Sequence, residues 1–155
     1  MIARHFRILV ILLMGAAAHW VFAVEPAGPP SSGYVARAQF TTEVVDREPS
    51  NRVLILANDV REVFFFTDLR GLEGQTVHHR WEFDGKVVSN VEFKVEGPRW
   101  RVYSRKDLDP FALGKWTVVV TDENGWPIKA AIFKYIDPAQ DEDAQEIILP
   151  PESGG

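Results

Sequence analysis

Cysteine is absent from all 155 residues. That excludes disulfide cross-links, thiol catalysis, iron–sulfur clusters and cysteine-rich zinc sites. Long apolar runs are scarce as well. The run at 8–18 is about 11 residues, inside the roughly 7–15 of a signal-peptide core and short of the roughly 20 of a membrane span. No segment sustains a helical period, although 107–113 has room for one turn. There is no Gly-x-Ser-x-Gly elbow, P-loop, zincin helix or internal repeat. Basic charge is in deficit: 17 Lys and Arg stand against 22 Asp and Glu, a formal net charge of -5. An acidic chain of this kind is a poor nucleic-acid binder.

What is present begins with an address. Arg4 and Arg7 precede the apolar run, and Val21-Phe22-Ala23 fits the small-residue rule for cleavage after Ala23. Residues 1–23 therefore read as a signal peptide. The stretch 8–24 reaches 17 residues only by including His19, so an uncleaved membrane anchor is the alternative. In both cases the positive flank stays inside and the rest lies outside the cytoplasm, in a periplasmic or extracytoplasmic setting. Loss of Arg4 and Arg7 would take the formal charge from -5 to -7.

The remaining chain divides by composition. Residues 24–33 are a Pro/Gly/Ser linker with no means of building a core. Residues 137–155 are an acidic tail, expected to be disordered, whose polarity is broken by Ile147, Ile148 and Leu149. Between them, 34–136 holds one domain.

That domain reads as strands. Residues 34–45 alternate, as do 76–83, 86–95, 99–104, 115–121 and 128–135, while 53–57 allows a further short strand. Residues 60–69 are apolar at nearly every position (Val63, Phe64, Phe65, Phe66), as a strand covered on both faces requires. Asp84-Gly85 and Asn124-Gly125 are hairpin turns. A plain turn at Asp84-Gly85 would put Val87, Val91 and Phe93 on the face opposite Val77 and Trp81. A type I turn with a glycine bulge at Gly85 brings them together and is the predicted form. The fold class that follows is all-β: a single antiparallel immunoglobulin-like β-sandwich of about seven strands. Trp81, Trp100 and Trp116 lie beside alternating apolar residues and belong to its core.

Chemistry concentrates at 97–106. Arg99, Arg101, Tyr103 and Arg105 alternate with Trp100, Val102 and Ser104. Alternate strand residues are roughly 6.6 Å apart, so the three guanidiniums would span about 20 Å. Guanidinium forks suit carboxylate and phosphate. Arg99, Arg101, Tyr103, Arg105 and Lys106 are therefore the candidate binding residues, joined by Trp126, which follows a turn and precedes Pro127. The competing reading is a solvated outer face paired to Glu92, Glu96 or Asp107, or covered by the acidic tail. His78 and His79 point to opposite faces of one strand and cannot share a metal there. His79, on the Trp81 face, is expected to be a partly buried histidine bonded to backbone.

His79-Arg80-Trp81, Gly97-Pro98-Arg99-Trp100-Arg101 with Tyr103-Ser104, and Gly114-Lys115-Trp116-Thr117-Val118 resemble the bacterial domain of unknown function twenty-nine-fourteen family. Arg37-Ala38-Gln39-Phe40 and Phe65-Phe66-Thr67-Asp68-Leu69-Arg70-Gly71 are similar too. The resemblance covers about 34–135. It implies a small β-rich module of bacterial membrane or exported proteins, and it supplies no catalytic residue and no ligand.

Residues and resemblance together give one expectation. The chain is an exported, non-catalytic module, needing no cofactor or metal, that binds a protein partner or an anionic cell-envelope component such as a lipid headgroup, acidic glycan or cell-wall peptide. The alternative is a purely structural membrane-proximal domain with no ligand of its own.

Overall fold

The computed structural model describes residues 32–140 and 145–153. The signal peptide expected at 1–23 and nearly all of the linker expected at 24–33 lie outside these residues. Among the described residues the regular structure is entirely strand: β1 Tyr34–Thr41, β2 Val44–Val45, β3 Glu48–Pro49, β4 Arg52–Ala57, β5 Glu62–Arg70, β6 Thr76–Phe83, β7 Lys86–Lys94, β8 Arg99–Asp107, β9 Gly114–Thr121, β10 Pro127–Ile136 and β11 Ile147–Leu149. None of them contains a helix long and apolar enough to cross a membrane. Within 107–113, where the sequence allows one helical turn, residues 109–112 close a single turn by the Ala112 amide donating to the Asp109 carbonyl at 3.0 Å, and no helix follows; β8 takes Asp107.

All but one of the paired strands run antiparallel, in a single path β7-β6-β9-β10-β4-β1-β5-β8, with β11 added to β4 and β2-β3 as a separate hairpin. The sequence predicts two separate sheets. One path forms because β4 bridges them. Val53 pairs antiparallel with Phe40 of β1, and Ile55, Leu56 and Ala57 pair parallel with Lys134, Tyr135 and Ile136 of β10. Both Val53 and Ile55 also pair with β11. A strand has only two edges, so β1 and β10 share one edge of β4 in succession and β11 takes the other. The sheet curls into a nearly closed barrel of eight strands whose free ends are β7 and β8.

Large aromatic side chains fill the curl. Phe40 lies 4.9 Å from Phe65, 5.7 Å from Trp81 and 4.7 Å from Phe133, ring centre to ring centre. Trp116 packs on Phe83 at 4.9 Å. Trp81, Phe65, Val63, Leu69, Val77 and Val118 are fully enclosed. Each such group contributes roughly 1.5–3 kcal/mol by leaving water, which offsets chain entropy with no disulfide. β5 is covered on both faces, as its composition predicts, with Phe65 and Phe66 alike at 0% exposure.

The β6–β7 hairpin corrects one expectation. Asp84 and Gly85 both take positive φ, at 46° and 81°, and Phe83 pairs directly with Lys86. That is a plain two-residue turn of mirror-image type, not a type I turn with a glycine bulge. The register still shifts, between Trp81/Ser89 and Glu82/Val87. The extra residue is Val88. The shift places Val91 opposite His79 and Phe93 opposite Val77, while Val87 and Val88 stay exposed. The core demanded a one-residue offset, and the strand supplies it beyond the turn.

The tail differs from a disordered segment over its described part. Ile147, Ile148 and Leu149 form β11 on β4. Glu146 Oε1 accepts from the Ala57 amide at 3.2 Å.

Candidate anion-binding face

Among the described residues β8 ends the strand path and pairs only with β5. Its alternation is as the sequence predicts: Ser104 is buried, and Arg99, Tyr103 and Arg105 are exposed on the outer side. Opposite them on β5, Asp68 pairs with Arg101, Arg70 with Arg99, and Phe66 with Tyr103. Asp68 is enclosed. Its carboxylate accepts from Arg70 Nε at 2.9 Å and from Arg99 Nη2 at 3.0 Å. Burial pushes its pKa up, but the bonds and charges of Arg70 and Arg99 outweigh that and hold it below the usual carboxylate range.

A second carboxylate comes from Glu48, which opens β3 just after a turn in which Asp46 and Arg47 both take positive φ. Glu48 binds Arg37 Nη2 of β1 at 2.6 Å and also Arg101 Nη1. Burial raises its pKa, and the bonds to Arg37 and Arg101 more than offset this, so it too is lowered. Arg37 also lies 3.9 Å from Asp68 and stacks 4.9 Å from the Phe66 ring centre. Arg47 reaches past the free edge of β8. It sits 5.5 Å from the Trp100 ring and donates to the Arg101 carbonyl at 3.3 Å. That contact blunts an edge open to pairing with other strands.

Arg37, Arg70, Arg99 and Arg101 thus share Asp68 and Glu48. Among the described residues, four guanidiniums on two carboxylates leave two positive charges in excess, carried on β1, β5 and β8. Arg105 stands apart. It pairs with Glu62 at 2.9 Å and Asp107 at 3.1 Å, and so is neutralised locally. Of the partners anticipated for the stripe, Asp107 is present; Asp68, Glu48 and Glu62 were missed. Asp68 and Glu62 lie on the adjacent strand, where only register identifies them, and Glu48 opens β3, a two-residue strand distant in sequence.

The other candidates do not join this face. Lys106 falls on the same side of β8 as Trp100, Val102 and Ser104, opposite buried Val63. Trp126 is at the β9–β10 turn, separated from β8 by β4, β1 and β5 in the strand path. Its amide donates to Asp122 Oδ1 at 2.9 Å. Tyr103 does share the face, 46% exposed, its ring 6.1 Å from that of Phe64.

A polar cluster lies behind β8, inside the core. His79 of β6 is fully enclosed, with Thr67 Oγ1 of β5 at 3.0 Å from Nε2 and Ser104 Oγ of β8 at 2.9 Å from Nδ1. Ser104 Oγ also accepts from Trp81 Nε1 at 2.9 Å. The partners of His79 are hydroxyls, not backbone. Burial depresses its pKa to about 3, so the ring is neutral. These bonds link β6 to β5 and β8 where the backbones do not pair. Trp116 Nε1 finds a backbone acceptor, the Ala112 carbonyl at 3.0 Å. Among the described residues no three His, Asp or Glu side chains converge to hold a metal ion.

Residues 74–135 match the family model described as Protein of unknown function (DUF2914). The matched segment runs from β6 almost to the end of β10 and contains both β8 and His79. β1 to β5, with Arg37, Glu48 and Asp68, lie before it. Searched against curated proteins, the chain finds no match.

Proposed function

We propose that this protein is an exported, non-catalytic β module that binds a protein partner or an anionic cell-envelope component through the outer face of β8. The observation that carries this reading is the charge imbalance of one cluster: Arg37, Arg70, Arg99 and Arg101 against Asp68 and Glu48. Ion pairs to buried Asp68 and partly exposed Glu48 fix the guanidiniums in place, so little side-chain entropy is lost when an anion arrives. The side chain of Arg99 is 49% exposed and within reach of a ligand. The non-catalytic reading is supported by where the perturbed groups lie: His79 is sealed in the core and Asp68 is saturated by arginines.

A structural domain without a ligand is favoured by a different observation, namely that Arg99, Arg101 and Arg105 each have a carboxylate within the domain. The two halves of the strand path, β7-β6-β9-β10 and β4-β1-β5-β8, face each other across the aromatic core. That arrangement supports an immunoglobulin-like sandwich with β4 switching between halves as its finer description.

The discriminating measurement is binding to vesicles containing a phosphatidylglycerol-like anionic lipid and to an acidic glycan, as a salt series. Anion binding should weaken between 0.1 and 1 M salt, where the screening length falls from about 10 Å to about 3 Å. Replacing Arg99 and Arg101 by serine should remove it and leave the circular dichroism spectrum unchanged. No binding of either probe at low salt would leave the structural reading.

A further inference from the structure

On the far side of β1 from β5, the tail residue Glu152 is read at three points. Its amide donates to Gln39 Oε1 at 3.0 Å, its carbonyl accepts from Arg37 Nη1 at 3.1 Å, and its carboxylate pairs with Arg52 Nη1 at 3.0 Å. Gln39 and Arg37 are more than nine-tenths buried. Both are oriented from behind. Gln39 Nε2 donates to the Asn51 carbonyl at 2.8 Å, which turns Oε1 outward, and Arg37 Nη2 is held by Glu48. Arg37 Nε has no hydrogen-bond partner among the described residues, so they do not saturate the guanidinium. Beside Glu152 lies a cavity of about 230 Å³, kept open by Ala36, Ala38, Ala130 and Ala131.

We infer that Arg37, Gln39 and Arg52 form a receptor for one acidic residue of an extended peptide from a partner protein, aligned by the outer edge of β4, with Glu152 as its replaceable internal occupant. The receptor reads a peptide N–H, the C=O of the same residue and its side-chain carboxylate, a combination that specifies an acidic residue in extended backbone. Strand addition to β4 supplies the remaining main-chain bonds, as β11 does now. The occupant is weakly seated. β11 has three residues, and Ile147, Ile148 and Leu149 remain 40%, 38% and 39% exposed. Short strands with little apolar burial open at low free-energy cost. Arg37 belongs to both sites, with Nη2 on Glu48 and Nη1 on Glu152, but this one does not depend on the outer face of β8 binding anions.

The test uses the full chain and a fluorescent peptide with the sequence of residues 145–153. In cis the tail competes at an effective concentration of roughly millimolar order, so the wild-type chain should bind the peptide poorly. A chain with Ile148→Pro, which breaks the β11 pairing, and Glu152→Ala keeps Glu146, the acceptor for the Ala57 amide, and should bind it at least tenfold more tightly. Amide exchange at Ala57 should accelerate in that chain and slow again when peptide is added. Adding Arg52→Ser, or using a peptide carrying E152Q, should weaken binding at least tenfold. Arg52 is partly exposed, so its replacement spares the core. The inference is overturned if exchange at Ala57 shows the tail released and the peptide still does not bind. It is equally overturned if exchange shows the tail cannot be released, or if binding ignores both Arg52→Ser and E152Q.

Discussion

Acid should weaken this fold through His79 before it reaches the carboxylates. The ring is neutral and sealed in the native state, with its pKa lowered by burial from 6.5 to about 3. In the unfolded chain it returns to the ordinary value. Between these two values the unfolded state binds one more proton than the native state, so stability is complete above about 6.5 and falls with pH below it. Each unit of pH costs about 1.4 kcal/mol. At pH 4.5 the loss from His79 alone is therefore roughly 3 kcal/mol, a large part of the 5–15 kcal/mol typical of a domain. Glu48 and Asp68 work in a lower window. Their native pKa values lie below 4.5 and 3.8, so their contribution is present above those values and lost only as pH falls through the native ones. Urea denaturation at pH 7, 6, 5.5, 5 and 4.5 would trace the slope. A His79→Leu chain leaves Thr67 and Ser104 short of one partner and should lose about 1–3 kcal/mol at pH 7, but its stability should lack the His79 slope. If that chain does not fold, the wild type still decides. Unfolding at pH 5 should take up about one proton through this ring, visible as buffer-dependent enthalpy in calorimetry. Parallel pH profiles for the two chains, or a flat wild-type profile from pH 7 to 4.5, would refute the reasoning.

Trp81→Ala should destabilise by roughly 3–5 kcal/mol, because the indole is at 0% exposure between Phe40 and Phe65 and also donates to Ser104; urea denaturation at pH 7 measures it, and a change under about 1 kcal/mol would contradict the packing. Export predicts a mature N-terminus at Val24; intact-mass measurement on protein from its native host checks it, and a full-length chain recovered with membrane would mean an anchor instead.

The parts of the fold legible in the sequence were those fixed by local alternation. β6 occupies 76–83 as its pattern of Val77, His79, Trp81 and Phe83 requires, and β8 places Ser104 inward and Arg105 outward as predicted. The Val77 and Phe93 pairing was legible too, because a one-residue slip would have turned one apolar face to water. The device was not. Nothing local distinguishes a bulge at Val88 from one at Gly85, since both satisfy the same core. The closure of two halves into one path was also hidden. It depends on β4 changing partners between Val53 and Ile55, and six residues of strand pattern look the same whether one neighbour lies alongside or two.

The candidate site shows the same division. Period two put Arg99, Arg101 and Arg105 on one face, but pairing register decides which of them is neutralised. Arg105 meets Glu62 and Asp107 and is spent locally, whereas Arg99 and Arg101 draw on carboxylates that Arg37 and Arg70 already share. The same register decides why His79 is not a ligand. Its neighbours across the core are Thr67 and Ser104, two hydroxyls that stand out only as polar residues at apolar positions of their strands. A histidine held by two hydroxyls and stripped of water is stable only when neutral. It therefore ties the β6 side of the curl to β5 and β8 as long as the fold stays native, and acid opposes it through the proton that the unfolded chain takes up. β8 is thus supported on its inner face by a pH-sensitive contact and presents its arginines on the outer one. β5 also holds β8 along its whole length, from Arg99 opposite Arg70 to Asp107 opposite Glu62, so acid reaches the charged face only by lowering the stability of the whole fold.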